Sequence, residues 1–375
     1  MSGRLTVNHY VTRGPTRVRI SGECRKNLGG NVKLGRITRS ALAVPAVTAL
    51  AATSLMLATT PAHAATDIII GTQNAAVNAQ VQYAQDNGIF AANGLNATIR
   101  VAAPPALTAQ LVSGQIQFQY LPFANAITAR TNGGIDLKVV APANGISYND
   151  ARRMQRDPAF AALTDTSGFC VNPASGIKSG KDLQGKVVVV GSRGGLSELD
   201  FSEYIRKAGG DPKSVKWTLA PMGTGVDLVR QGKADAAYVA LPFTTSCTQQ
   251  GLKILTQADF VVNPAGGPTA GWVTTAQYMA SNPAVVAAFQ KSMWQVNEQL
   301  RGTSAAAKAN QEKMVQAMMK LSGQSREYIT AYKLPYFFAN IRQSDLIPWA
   351  LALQRNGLVI KPVDVPGLLA KQYRP

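Results

Sequence analysis

The sequence predicts an α/β fold of two lobes facing one another across a cleft, each lobe a parallel-type sheet flanked by helices. Three observations carry this. Short β-branched runs alternate with helical stretches from Asp67 onward, the pattern of parallel strands joined by crossover helices. The alternation runs through two rounds, separated by a polar stretch at 148–166 that holds Arg152, Arg153, Arg156 and Asp157. After Asn263-Pro264-Ala265-Gly266-Gly267-Pro268 the chain becomes mostly helical, which returns it to the first lobe. The expected organisation is a leader at 1–64, lobe 1 at 65–167 and again at 269–375, and lobe 2 at 168–268.

In the first round, 67–72 reads as a strand, 77–92 as a helix and 97–101 as a second strand. Pro105 suits the first turn of a helix, where its missing N–H costs nothing, and Ser113-Gly114 ends that helix. Strands at 116–121 and 137–141 flank a helix at 123–130, and the polar stretch that follows carries one short surface helix. The second round opens with a strand at 168–172. The apolar strand 186–190, the loop 192–195 and the helix 197–208 come next, and Gly209-Gly210-Asp211-Pro212 stops that helix. Strands at 215–219, 236–239 and 252–255 alternate with helices at 225–231 and 242–250. A strand at 271–275 leads to helices at 283–300, 304–321 and 344–355. Met314, Met318 and Met319, at helical spacing on the second of these, read as core filler.

A length of 375 residues, 46% hydrophobic and 15% charged, fits a globular chain with a sizeable core. The net charge of +18 invites a nucleic-acid reading, but residues 65–375 hold only 29 of the 38 basic residues against 19 of the 20 acids, a net of +10. Those charges are scattered, as on a solvated surface. The N-terminus carries the rest. Arg36 and Arg39 precede an uncharged run at 41–60, which ends in Ala62-His63-Ala64. A basic segment, an apolar run and a small-x-small site form a secretory signal peptide. Pro45, Thr48, Thr53 and Ser54 make the run too weakly apolar for a span. Cleavage is expected after Ala64, releasing a soluble, unanchored protein into the periplasm.

Both histidines, His9 and His63, lie in that leader. A mature chain without histidine has no Ser-His-Asp or Cys-His pair and no His-ligated zinc, so it is not expected to be an enzyme. Cys24 is removed as well. Cys170 and Cys247 remain; in an oxidising compartment they form a disulfide or stay two buried thiols, and spacing does not choose between these.

Three segments carry a family resemblance. They are Thr108-Ala109-Gln110-Leu111-Val112-Ser113-Gly114-Gln115-Ile116-Gln117-Phe118, then Gly176-Ile177-Lys178-Ser179-Gly180-Lys181-Asp182-Leu183-Gln184-Gly185-Lys186-Val187-Val188-Val189, and Asp227-Leu228-Val229-Arg230-Gln231-Gly232-Lys233-Ala234-Asp235-Ala236-Ala237-Tyr238-Val239. Together they resemble the ABC transporter solute-binding proteins of the nitrate/sulfonate/taurine and thiamine-pyrimidine-precursor type. The resemblance implies a type II periplasmic binding protein fold and a monomeric chain without cofactor, metal or nucleic-acid partner. It also implies capture of a small organic anion, a sulfonate, carboxylate or related compound, for an ABC permease with its ATPase. The chain departs from the family pattern at Gln117-Phe118-Gln119-Tyr120 and at Ala240-Leu241-Pro242-Phe243. Two other readings remain open: an enzyme on the pyrimidine-precursor-type fold, and a sensing subunit for a membrane receptor.

Ligands of open α/β sheets bind outside the carboxyl ends of the strands. That rule nominates Gln73 and Asn74, Leu121, Pro122 and Phe123, and Asn144 from the first lobe. From the second it nominates Ser192, Arg193, Gly194 and Gly195, then Met222, Gly223 and Thr224, then Leu241 and Phe243. The loop at 192–197 is the sharpest of these, because its glycines admit a ligand to backbone N–H groups, a helix N-terminus favours an anion and Arg193 adds a planar fork. An equally weighted alternative pairs Arg193 with Glu198. Tyr120, Phe123 and Phe243 read either as an apolar wall or as core.

Overall fold

The computed structural model describes residues 65–372. The leader and its cleavage site lie outside them. The first five strands are β1 (Thr66–Thr72), β2 (Leu95–Val101), β3 (Phe118–Pro122), β4 (Leu137–Pro142) and β5 (Asn144–Ile146). There follow β6 (Ser167–Val171), β7 (Val187–Val190), β8 (Lys216–Leu219), β9 (Ala236–Ala240) and β10 (Lys253–Gln257). The last are β11 (Gly267–Pro268), β12 (Ala270–Thr275) and β13 (Tyr336–Phe337).

Two five-stranded sheets result, in the orders β2-β1-β3-β12-β4 and β10-β6-β9-β7-β8. In the first sheet, β1 pairs in parallel with β2 and β3, and only β12, arriving after the excursion through the second lobe, runs against its neighbours. In the second, β7 pairs in parallel with β8 and β9, and only β6 runs the other way. Each lobe is therefore a parallel-type sheet with one reversed strand, flanked by helices.

The local sequence explains where the elements differ from expectation. The segment expected as one helix at 77–92 is broken into a 3-10 turn (Ala76–Asn78) and helices Gln80–Asp86 and Ile89–Ala92, with Gly88 at φ 68° between the last two. That left-handed conformation is cheap only for glycine. The polar stretch forms two helices rather than one, Tyr148–Met154 and Pro158–Thr164. Ser147 and Asp157 cap them by accepting from the Asp150 and Phe160 N–H groups, and each cap satisfies a donor that the first turn leaves open. A small antiparallel sheet, β11-β5-β13, was not legible from the sequence. Its strands are two or three residues long and contain Gly145 and Pro268, so they show no alternation.

The first-lobe core is aromatic. Phe118 stacks on Phe289 at 3.9 Å, and Trp272 meets Phe289 edge-on at 6.0 Å. Met314 and Met318 are fully buried against it. The second lobe centres on Phe169 stacked on Phe201, also at 3.9 Å. A disulfide joins Cys170 on β6 to Cys247 on the helix Phe243–Gln249. Among the described residues, no helix is long and apolar enough to cross a membrane.

The helix Leu196–Lys207 carries a buried acid that ties it to the helix Gln343–Arg355 and the Asn356 that ends it. Glu203, 1% exposed at its side chain, accepts from Arg206 at 2.7 Å, from Arg355 at 3.0 Å and from the Asn356 amide at 2.7 Å. Burial by itself would raise this carboxyl, but the hydrogen bonds from Arg206, Asn356 and Arg355 outweigh it and hold the group at about 2. A depressed carboxyl stabilises the fold above its unfolded value, near 4.5, and the contribution is lost as pH falls through the folded value. Glu203→Gln is expected to cost about 3 kcal/mol at neutral pH. It should also flatten the acid limb of a plot of melting temperature against pH. An unchanged acid limb would show that the cluster adds nothing.

Candidate functional site

A cavity of about 80 Å³ lies where the two sheets approach each other. The first lobe contributes Gln73 from the end of β1, Asn78, Tyr120 and Pro122 from β3, Asn125 and Asn144. The second contributes Ser192, Leu196, Ser197, Met222 and Tyr238. The chain segments that cross between the sheets complete the wall with Thr164, Asp165, Thr166, Ser167, Asp259 and Thr269.

Polar side chains latch the two sides. The Asn125 amide donates to Ser192 Oγ at 3.0 Å and accepts from the Leu196 N–H at 2.8 Å. Thr128 Oγ1 donates to the Gly194 carbonyl at 2.7 Å. Ala76 N–H donates to the Leu241 carbonyl at 3.1 Å. The cavity is roughly the space of two or three waters, and pockets for organic ligands run to about 300 Å³ and above. The two sheets are thus drawn together around the site.

The electrostatics are set by three neighbouring carboxyls: Asp165 and Asp259 at the crossings, the first buried and the second partly exposed, and Asp200, buried on the helix Leu196–Lys207. Asp165 accepts from Ser167 Oγ at 2.6 Å, from Ser167 N–H at 3.0 Å and from Phe260 N–H at 3.0 Å. Asp259 Oδ1 accepts from the Tyr238 hydroxyl at 3.3 Å, and the Asp259 N–H donates to Ser167 Oγ at 3.2 Å. Asp200 lies wholly buried, with no donor to either carboxylate oxygen. Burial, then the charge of Asp259, pushes the Asp165 carboxyl well above its ordinary range. Burial, then Asp259 and Asp165, does the same to Asp200. Burial raises Asp259 despite hydrogen bonds from Ser167 and Tyr238. Burial also raises Tyr120 above the ordinary phenol range, although its hydroxyl donates to Asn144 Oδ1 at 3.1 Å. No Lys or Arg side chain lines this cavity.

Five of the fifteen residues nominated from the sequence line it: Gln73, Pro122, Asn144, Ser192 and Met222. The others lie elsewhere. Phe123 and Leu241 are fully buried and Leu121 is 2% exposed, so these are core. Asn74 and Phe243 line a separate groove beside the cavity. Gly223 packs against the Phe243 ring, and Met222, Gly223 and Thr224 form the first turn of the helix Met222–Arg230 rather than a loop. Arg193, Gly194 and Gly195 line another outer groove. Arg193 is held by Glu198 through two hydrogen bonds of 2.9 Å, and Glu198 also accepts from the Gly194 N–H at 2.5 Å. The anion at this helix N-terminus is therefore the protein's own carboxylate. Metal-ligating clusters are absent among the described residues.

Sequence reasoning missed Asn78, Asn125, Asp165, Ser167, Tyr238 and Asp259. One signal was available for the neighbouring Asp200: with Leu196 and Glu203 it shares the inward stripe of its helix, where an acid is out of place. Asp165 and Asp259 sit at chain crossings, which periodicity does not mark.

Residues 159–312 match the family model described as NMT1/THI5 like. No curated protein matches the chain. Among solved structures, the periplasmic aliphatic sulphonate-binding protein SsuA from Escherichia coli is similar at 16% identity and TM-score 0.60, over 82% of this chain and 93% of that one. The alkanesulfonate-binding protein SsuA from Xanthomonas axonopodis pv. citri, bound to MOPS, matches at 15% identity and TM-score 0.63, over 81% and 98%. The periplasmic nitrate-binding protein NrtA from Synechocystis matches at 15% identity and TM-score 0.63, over 81% and 86%. The reversed strand in each sheet, the cleft between the sheets and these likenesses agree: the chain has the two-lobed periplasmic binding protein fold and carries an NMT1/THI5-like domain at residues 159–312.

Proposed function

We propose that this chain is the periplasmic substrate-binding component of an ABC importer, released from its leader as a soluble monomer without a cofactor. It captures a small organic solute between its lobes and presents the closed form to a permease with its ATPase. One observation carries the reading. The cavity is walled by both lobes and by the segments that cross between them, so a solute held there touches both, and its contacts favour closure. The bound forms of such a fold are what a permease can distinguish from the empty one.

The likeness to sulfonate- and nitrate-binding proteins supports an organic anion as the solute class. The first turns of the helices Phe123–Thr131 and Met222–Arg230 border the cavity, and their N-termini favour an acidic group. Residues 65–375 contain no histidine, and both remaining cysteines are in the disulfide, which supports binding over catalysis. A DSZB mutant in complex with biphenyl-2-sulfinic acid shares the fold at 11% identity and TM-score 0.54. The test is native mass spectrometry of the purified protein followed by small-angle scattering. A co-purifying small molecule is expected, and removing it should expand the particle. Identical scattering with and without the solute would refute the reading, as would turnover of that molecule.

A further inference from the structure

The cavity has room for only part of an organic solute. Its volume of about 80 Å³ is well below the roughly 300 Å³ at which pockets for organic ligands begin. A groove of about 510 Å³ adjoins it, and Gln73, Pro104, Gly191 and Met222 line both spaces. The junction is open at Gly191, where an added Cβ would meet nothing within 4 Å. Met222 beside it carries an unbranched side chain that adapts to what passes. A solute longer than the cavity therefore extends into the groove.

The groove differs from the cavity in its chemistry. Val101, at the end of the edge strand β2, is 47% exposed, and Leu219, at the end of the edge strand β8, is 60% exposed. Both line the groove, one from each lobe, together with Phe243. Single exposed aliphatic side chains need no explanation, but these are gathered around one hollow. Pro104, Pro105 and Pro221 add to the lining without an N–H to offer. No Asp, Glu, Lys or Arg among the described residues takes part, whereas the cavity wall presents asparagines, serines, Asp165 and Asp259. Water in the groove finds few partners, so an apolar group that displaces it gains free energy.

We infer that the solute has two parts, a compact polar group seated in the cavity and an apolar body, an alkyl chain or a ring, lying in the groove against Val101 and Leu219. This rests on the importer reading and adds the specificity of its site. A solute as small as an inorganic ion would leave the groove empty. Because the groove takes side chains from both lobes, burying the apolar body also favours closure.

Calorimetry tests this with straight-chain sulfonates, carboxylates and primary amines of two, four, six and eight carbons. In at least one series, affinity should rise about two- to fourfold for each added methylene, the gain of moving it from water onto an apolar surface. Val101→Ser and Leu219→Ser change exposed side chains, and cooperative thermal unfolding records that both variants fold. Each should weaken the eight-carbon member about fivefold or more and leave the shortest member that binds unchanged. Affinity that stays flat or falls with chain length would overturn the inference, as would serine variants that keep the full gain. Compaction around a short member in small-angle scattering would then leave the importer reading standing. Binding by no member of any series overturns the inference as well, and the co-purified solute alone then decides the importer reading.

Discussion

Trp272→Ala is expected to lower the unfolding free energy by about 3–5 kcal/mol, the range for emptying a large aromatic site in a core. Trp272 is wholly buried on β12, the strand that returns the chain to the first lobe. Its ring lies edge-on to Tyr120 at 5.6 Å and to Phe289 at 6.0 Å. Its Nε1–H donates to Gln80 Oε1 at 3.1 Å, and Gln80 donates in turn to Asn297 Oδ1 at 2.5 Å. The Asn297 amide then donates to the Phe338 carbonyl at 2.6 Å. Alanine removes the ring and leaves Gln80 Oε1 without a donor in the interior. Trp272→Phe separates the two effects, since it keeps most of the packing and loses only the donor, an expected cost of about 1–3 kcal/mol. Chemical denaturation of both variants measures the difference. Equal losses would mean that the hydrogen-bonded chain, not the ring, accounts for the effect. Because Tyr120 leans on Trp272 and lines the cavity, the alanine variant should also bind solute more weakly.

Opening the disulfide should have an effect of similar size with a different signature. Cys170 and Cys247 are separated by 77 residues in sequence, and closing a loop of that length stabilises by about 4.5 kcal/mol in the chain-entropy model. The double variant Cys170→Ala/Cys247→Ala should therefore unfold at markedly lower denaturant than the oxidised protein, as should the protein under a strong reductant. Neither cysteine lines the cavity, and both pack in the small second-lobe cluster with Val226, Val229 and Val239. Solute affinity of the molecules that remain folded should be unchanged. A variant that loses affinity while keeping its stability would contradict this placement. Together the two variants divide the molecule, since one change couples stability to the site and the other does not.

The strands and most helices were legible because burial imposes a period on the chain. Val187–Val190 is apolar throughout because both faces of the second sheet are covered. Pro283 marks the start of the helix Pro283–Leu300, where its missing N–H costs nothing. The strand-end rule found Gln73, Asn144 and Ser192 on the wall, since it follows from sheet geometry alone. It also nominated Leu121, Phe123 and Leu241, which are buried, because the rule locates a region and does not say which way a side chain turns.

What the sequence determined by itself is the α/β character, the two rounds of strands and helices, and the family resemblance, all of which depend on neighbours along the chain. Tertiary structure alone decided the charge of the site. Arg193 is five residues from Glu198 and pairs with it, whereas Asp165, Asp200 and Asp259 are up to ninety-four positions apart and meet only because the chain crosses twice between lobes at one place. Desolvation and mutual repulsion arise from that meeting, and no local pattern encodes it.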